Sequence, residues 1–187
     1  METSQLIKEA KQGSAAAQKI LFEQLSEKMM LVCLRYVKNP QDAEEILLDG
    51  FFKFYKTLGS FSFQGDAALY MWLKRMMINE CLMFLRKSNV FAMVTENEVE
   101  GVVPEDTVFS NLSANEIFKL IVQLPVGYRT VFNLAVVEGL PHREIAQLLN
   151  ISEGTSKSQL SKSRILLQKM LLQNDIQYVK RTTQSRS

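Results

Sequence analysis

The side chains able to do chemistry in this 187-residue chain gather in a few segments, and the densest runs from Gly139 to Met170. It reads GLPHREIAQLLNISEGTSKSQLSKSRILLQKM, two helices joined by a tight turn. The second carries Lys157, Ser158, Ser161, Lys162 and Arg164 largely on its outer surface. Cations there can neutralise phosphates, and hydroxyls can bond base edges or the sugar-phosphate backbone. This is the layout of a helix-turn-helix, whose second helix enters the major groove of duplex DNA. The plainer reading is a helical hairpin with a solvated basic face; the agreement of spacing, caps and charge favours DNA. Ser156 and Ser163 fit less well, because small or β-branched apolar residues are expected at those inward positions.

Other chemistry is missing from the sequence. His142 is the only histidine, and it reads as an exposed residue near a helix start with no catalytic role. No Ser/His/Asp set, metal cluster or phosphate-binding glycine loop occurs, so neither an enzyme, a cofactor nor a metal is expected. Cys33 and Cys81 sit in apolar helical stretches without metal-ligand spacing. They read as buried reduced thiols, which suits a reducing cytoplasm. The opening METSQLIKEAKQG has no apolar core of signal-peptide length, and no later run could span a bilayer. A soluble cytoplasmic protein without a membrane segment of its own is the expectation.

The elements that must position these residues read as all-α. Hydrophobic content of 47% with 22% charged residues describes a globular chain. The net charge of +2 says little about partners, but its distribution says more. From Ser88 to Phe118 every ionisable side chain is acidic, whereas from Lys157 onward nearly all are basic. Helices are expected near Ser4–Lys11, then Ala15–Val37 after a Gly13-Ser14 cap. A third starts at Asn39-Pro40, with Asn at N-cap, Pro at N1 and Asp42, Glu44 and Glu45 near the positive end of its dipole, and stops at Gly59. A loop, SFSFQGD, leads to a fourth from Asp66 to Lys87. Periodicity lapses from Ser88 to Leu112, around Gly101 and Pro104. It resumes at Ser113, which forms a capping box with Glu116; a further helix is expected from Pro125 to near Gly139. In the helix-turn-helix, Pro141 takes a first helical position, Ile145, Ala146 and Leu149 point inward, Asn150 suits a left-handed helix end, Ile151 plugs the turn and Ser152 caps the second helix. Ser156, Leu160, Ser163, Leu167 and Met170 form its inward face. The expected organisation is two small helical domains, 1–88 and 113–174, joined by a flexible acidic linker at 89–112 and followed by a disordered tail at 175–187.

These residues carry a family resemblance. Leu124-Pro125, Arg129, Val131-Phe132, Glu138-Gly139-Leu140, Glu144-Ile145-Ala146 and Ser152-Glu153-Gly154-Thr155 fall where the pattern of the C-terminal domain of extracytoplasmic-function (group IV) sigma factors of bacterial RNA polymerase has them. The N-terminal half matches independently. DAEEILLDGFFKFY from Asp42 resembles the second helix of sigma domain two, and FQGDAALYMWLKRMMINECLMFLRK from Phe63 resembles its promoter-melting and minus-ten segment. Order and tether length agree, so the resemblance covers nearly the whole chain.

The resemblance implies roles. Asp42, Glu45, Leu48, Asp49 and Phe52 match the face that docks on the β′ clamp of core RNA polymerase, and the C-terminal domain would meet its β flap. Leu48 stands where a glutamine is common and Gly50 where the family has an apolar residue. Trp72, Lys74, Arg75 and Asn79 match the face toward the minus-ten element; a tryptophan beside cations can stack on an unpaired base and hold its phosphate. The alternative for Trp72 is burial in the core. Phe63, Gln64, Gly65, Asp66 and Ala67 match the loop that captures a flipped base of the non-template strand. Met76, Met77 and Met83 depart from the usual small or polar choices and read as core packing. Arg143, Thr155, Lys157, Ser158, Ser161, Lys162 and Arg164 match the minus-thirty-five surface, with fewer cations than usual. The tether resembles the linker that lies in the RNA exit channel, or is simply solvated. Implied partners are core RNA polymerase, promoter DNA and, commonly in the family, an anti-sigma factor. The competing readings are a stand-alone helix-turn-helix regulator binding an operator, and a polymerase-binding adaptor that reads no DNA.

Overall fold

The structure, a computed structural model, describes residues 2–87 and 114–184, with side chains described for 2–87 and 115–173. No strand occurs among the described residues, as the helical spacing predicts, and no helix there is long and apolar enough to cross a membrane. The linker expected at 89–112, and Ser113 of the capping box, lie outside the described residues. The chain divides into two compact units, Met1–Asn89 and Val90–Ser187.

The first unit holds α1 (Thr3–Lys11), α2 (Ala15–Val37), α3 (Pro40–Thr57) and α4 (Asp66–Lys87). Its helix ends are set by local chemistry. Gly13 takes φ +86°, a conformation that costs glycine nothing and ends α1. Ser14 Oγ then accepts from the Ala17 amide at 3.3 Å and starts α2. Asn39 Oδ1 accepts from the Gln41 and Asp42 amides at 2.8 and 3.2 Å, with Pro40 at the first helical position of α3. A single 3-10 turn, Leu58–Ser60, ends α3 just past the expected place.

Helices α2, α3 and α4 pack against one another, and α1 packs on α2. On α4 the buried residues Leu69, Leu73, Met77, Cys81 and Leu85 recur at every fourth position, one ridge of the kind that seats in a neighbour's grooves. Cys33 on α2 and Cys81 on α4 are free and fully buried. A side-chain hydrogen bond with Cys33, and then burial, holds the Cys81 thiol well above its ordinary range, so Cys81 stays protonated and unreactive. Tyr55 on α3 donates its hydroxyl to the Gln18 carbonyl at 2.8 Å, and burial pushes its ionisation up to about 12. At the α3–α4 contact, a Cβ on Gly50 would stand 2.4 Å from Met77 Sδ and 2.8 Å from its Cε. The two departures noted in the sequence are therefore one: Met77 fills the space that Gly50 leaves.

The second unit comprises α5 (Ala114–Gln123), α6 (Val126–Phe132), α7 (His142–Leu149) and α8 (Glu153–Gln184). Every residue from Gly127 to Leu134 is buried, so α6 is enclosed all round. Its Arg129 guanidinium donates to the Leu124 and Val122 carbonyls at 2.9 and 3.2 Å, satisfying the end of α5; burial, which disfavours the charged form, lowers the pKa of this side chain from its ordinary value. The helix expected to run to Gly139 widens instead into a π turn at Asn133–Val137, with Glu138 N bonded to Asn133 O at 2.9 Å. Gly139, at φ +71°, completes the exit. At the other end, α8 runs from Glu153 to Gln184. No glycine or proline follows Gly154 to stop a helix.

The Gly50–Met77 contact makes a test of the first unit. Gly50→Leu should overpack it and cost about 2 kcal/mol, and Met77→Ala should cost about 2–3 kcal/mol by leaving a cavity. Together they should cost at least about 1 kcal/mol less than the sum. Urea unfolding of the four proteins of the cycle measures this; simple additivity would show that the two sites do not share one space.

Candidate nucleic-acid and partner interfaces

Three exposed surfaces emerge. The first is on α3, whose inward side buries Ala43, Ile46, Leu47, Gly50, Phe51 and Phe54. Its outward side leaves Leu48 at 53% and Phe52 at 68% exposure, one helical turn apart and so adjacent. Glu45 and Asp49 are exposed around them and Asp42 is half-buried. The five residues expected to dock on a partner thus lie on one side of one helix, an apolar pair framed by carboxylates. On its flank, Lys53 Nζ donates to Glu80 of α4 at 2.6 Å, and the Glu80 side chain is only 12% exposed.

The second surface joins α4 to the loop before it. Gly65 takes φ +105°, which an L side chain rarely adopts, so the loop geometry depends on that glycine. An open pocket of about 520 Å³ lies here, lined by Phe63, Gly65 and Asp66 together with Glu2, Thr3 and Ser4 at the start of α1. The sequence did not point to those three N-terminal residues. Gln64 and Ala67 are exposed beside it. The Phe61 carbonyl accepts from Lys11 Nζ, tying the loop to α1. Along α4, Ala67, Arg75 and Asn79 are exposed and Lys74 is half-buried. With Met71, which is 56% exposed, Ala67, Arg75 and Asn79 form one ridge at every fourth residue, opposite the buried ridge. Met71 was missed, although its spacing from Ala67 and Arg75 was there to read.

Trp72 does not lie on that ridge. Its ring stacks on Phe61 with centroids 4.5 Å apart and planes 14° from parallel, and Phe54 approaches at 5.4 Å. The side chain is half-buried, between the two expectations of base stacking and core burial. Phe61, another residue the sequence did not single out, covers a ring face of Trp72.

The third surface is the helix-turn-helix. Asn150 takes φ 55°, ψ 48°, the left-handed end expected of it, and Ile151 N bonds Ala146 O at 3.0 Å. Ser152 Oγ accepts from the Thr155 amide at 2.9 Å, capping α8. Pro141 stands one position earlier than expected, as the N-cap of α7. His142 is half-buried rather than exposed, and its Nδ1 lies 2.8 Å from Ser156 Oγ, bridging α7 and α8. Ser163 Oγ donates to the Leu160 carbonyl at 2.7 Å. Both inward serines are fully buried and hydrogen-bonded, which is why polar residues are tolerated there. Arg143, Lys157 and Ser158 are exposed, while Thr155, Ser161, Lys162 and Arg164 are half-buried. Lys157 also sits 3.8 Å from Glu153, so part of its charge is shared. Ile165 is buried at 5%. Among the described residues no group of side chains could hold a metal ion.

Trp72 is the only tryptophan, so its emission reports the Phe61 contact directly. Phe61→Ala should uncover the ring, shifting its emission to longer wavelength and raising quenching by acrylamide, with helical content unchanged. An unaltered spectrum would mean the stack does not persist in solution.

Comparison with known proteins places this geometry. The model of Sigma-70 region 2 matches residues 21–90, spanning α2 to α4, and that of Sigma-70 region 4 matches residues 114–167, spanning α5 to α7 and the start of α8. The chain is 30% identical to the ECF RNA polymerase sigma factor SigW of Bacillus subtilis (strain 168), over 88% of this chain and 94% of that one. It is 28% identical to the RNA polymerase sigma-H factor of Pseudomonas aeruginosa, over 91% and 94%. Among solved structures, the sigma factor RpoE in complex with the anti-sigma factor NepR from Bartonella quintana is similar at 22% identity and a TM-score of 0.48, over 82% of this chain and 95% of that one. The chain belongs to the ECF sigma factors, which bind core RNA polymerase and promoter DNA and direct promoter-specific transcription.

Proposed function

We propose that the two units divide this work as in a group IV sigma factor. The first, residues 1–88, docks on the β′ clamp through Asp42, Glu45, Leu48, Asp49 and Phe52 and meets the minus-ten element through Ala67, Lys74, Arg75 and Asn79. The loop Phe63–Asp66 takes a flipped base, with Trp72 held by Phe61 as the wall behind it. The second, residues 113–174, meets the minus-thirty-five element through Arg143, Thr155, Lys157, Ser158, Ser161, Lys162 and Arg164, with the β flap beside it. Such a protein does no chemistry of its own and works in the cytoplasm with the polymerase; the two buried free thiols suit that compartment.

The observation that carries this reading is the outward pair Leu48 and Phe52. A phenylalanine at 68% exposure on a helix whose other side is buried core is an anchor without a pocket. Aromatic anchors framed by charge are how a few residues supply most of an interface's energy. A regulator that bound an operator alone would have no use for it.

Run-off transcription with core polymerase and a cognate promoter tests both halves. Phe52→Ala should weaken core binding about tenfold or more, a loss of roughly 1.4 kcal/mol, and reduce transcript in proportion. The double change Lys157→Ala and Lys162→Ala should leave core binding intact. It should weaken promoter binding by the holoenzyme and flatten the log–log salt slope by about 2. Full transcription by Phe52→Ala would overturn the α3 assignment, and an unchanged salt slope that of α8.

A further inference from the structure

We propose that Met71 is the wedge of promoter melting: its side chain enters the base stack at the edge of the minus-ten element while Arg75, one turn along, holds the adjoining phosphate. The proposal rests on α4 meeting minus-ten DNA, as assigned above.

Three observations converge on it. Met71 is 56% exposed, whereas Met29 and Met77 of the same unit are fully buried. Its position is fixed, because the ridge Ala67–Met71–Arg75–Asn79 stands opposite the packed ridge Leu69–Leu73–Met77–Cys81–Leu85. Its surroundings favour nucleic acid: from Ala67 to Asn79 the only charged side chains are Lys74 and Arg75. The nearest carboxylate C-terminal to that stretch, Glu80, is paired with Lys53. The other strongly exposed apolar side chains of α3, Leu48 and Phe52, stand instead among Glu44, Glu45 and Asp49, which would repel a phosphate backbone.

The task matches the side chain. Proteins that part or kink stacked bases insert an apolar group between steps, and methionine is among those used. It is unbranched, and its polarisable sulfur makes favourable contact with an aromatic face. Ala67 one turn before it adds little bulk, leaving room for a base pair to approach, and Arg75 one turn after it supplies the charge. Trp72, the obvious stacking residue, is engaged: inserting its ring would break the 4.5 Å stack on Phe61. The division of labour is then that Met71 opens the stack and the Phe61–Trp72 pair lies behind the loop that receives what is released.

The test uses the full-length protein with core polymerase on a cognate promoter, prepared as a duplex with 2-aminopurine in the minus-ten element and as a template with that element already unpaired. Met71→Ala should slow opening of the duplex about tenfold while initiating from the unpaired template within about twofold of the parent. Met71→Leu, which keeps an apolar tip, should restore most of the rate. Leu31→Ala, which truncates a 52% exposed side chain on α2, should leave both templates unaffected. Equal activity of Met71→Ala and the parent on the duplex would overturn the wedge. So would an equal loss on both templates, which would mark a binding contact rather than an opening one. If the parent itself initiates from neither template, the minus-ten assignment of α4 fails and the wedge falls with it.

Discussion

The first unit depends on one constraint: α4 has a single side it can bury. Leu69, Leu73, Met77, Cys81 and Leu85 fill the seam against α2 and α3, and burial of side chains of this size is worth roughly 1.5–3 kcal/mol each. A slip of one residue would rotate the helix by about 100° and bring charged or polar groups into that seam. The exposed ridge is therefore fixed by what lies behind it, and the direction of Arg75 and Asn79 is decided by packing that never touches a ligand. Gly50 belongs to the same constraint, since only the absence of a side chain there admits Met77.

The second unit solves a different problem. A helix buried all round takes its polar groups out of water, and α6 carries Arg129 and Thr130, with Asn133 directly after it. Arg129 turns this to use by capping α5 from the side. The π turn that follows, Asn133–Val137, closes this buried stretch before α7 begins. In the helix-turn-helix itself, a contact between Ser156 and His142 bridges the two helices. The same hydroxyl-for-methyl exchange that makes the inward face look poor in the sequence brings a directional bond between them.

What could be read from the sequence was what local chemistry decides. Ser14, Asn39, Asn150 and Ser152 sit at helix ends whose orphan amides or strained dihedrals they satisfy within three residues, so the caps and the helix order follow from neighbours in the chain. The outward set on α3 came from the family resemblance, and helical spacing agrees with it in separating these positions from the core. Most of the failures are long-range. Phe61 meets Trp72 and His142 meets Ser156 only once the chain has folded back. The Gly50–Met77 pair appeared as two unrelated departures because nothing in the sequence says they touch. The π turn was invisible because valines and leucines do not reveal which turn will carry an extra residue.

The ion pair between Lys53 and Glu80, set beside the shared α3–α4 seam, has a mechanical meaning. Prying apart a base pair exerts a reaction on whatever does the prying, and a tool on a loose mount would recoil instead of working. On the assignments proposed above, the helix toward DNA and the helix toward the polymerase are α4 and α3, which an ion pair joins at the flank with hydrophobic packing between. On that proposal, load applied at α4 would pass to α3 and be borne by the docked polymerase.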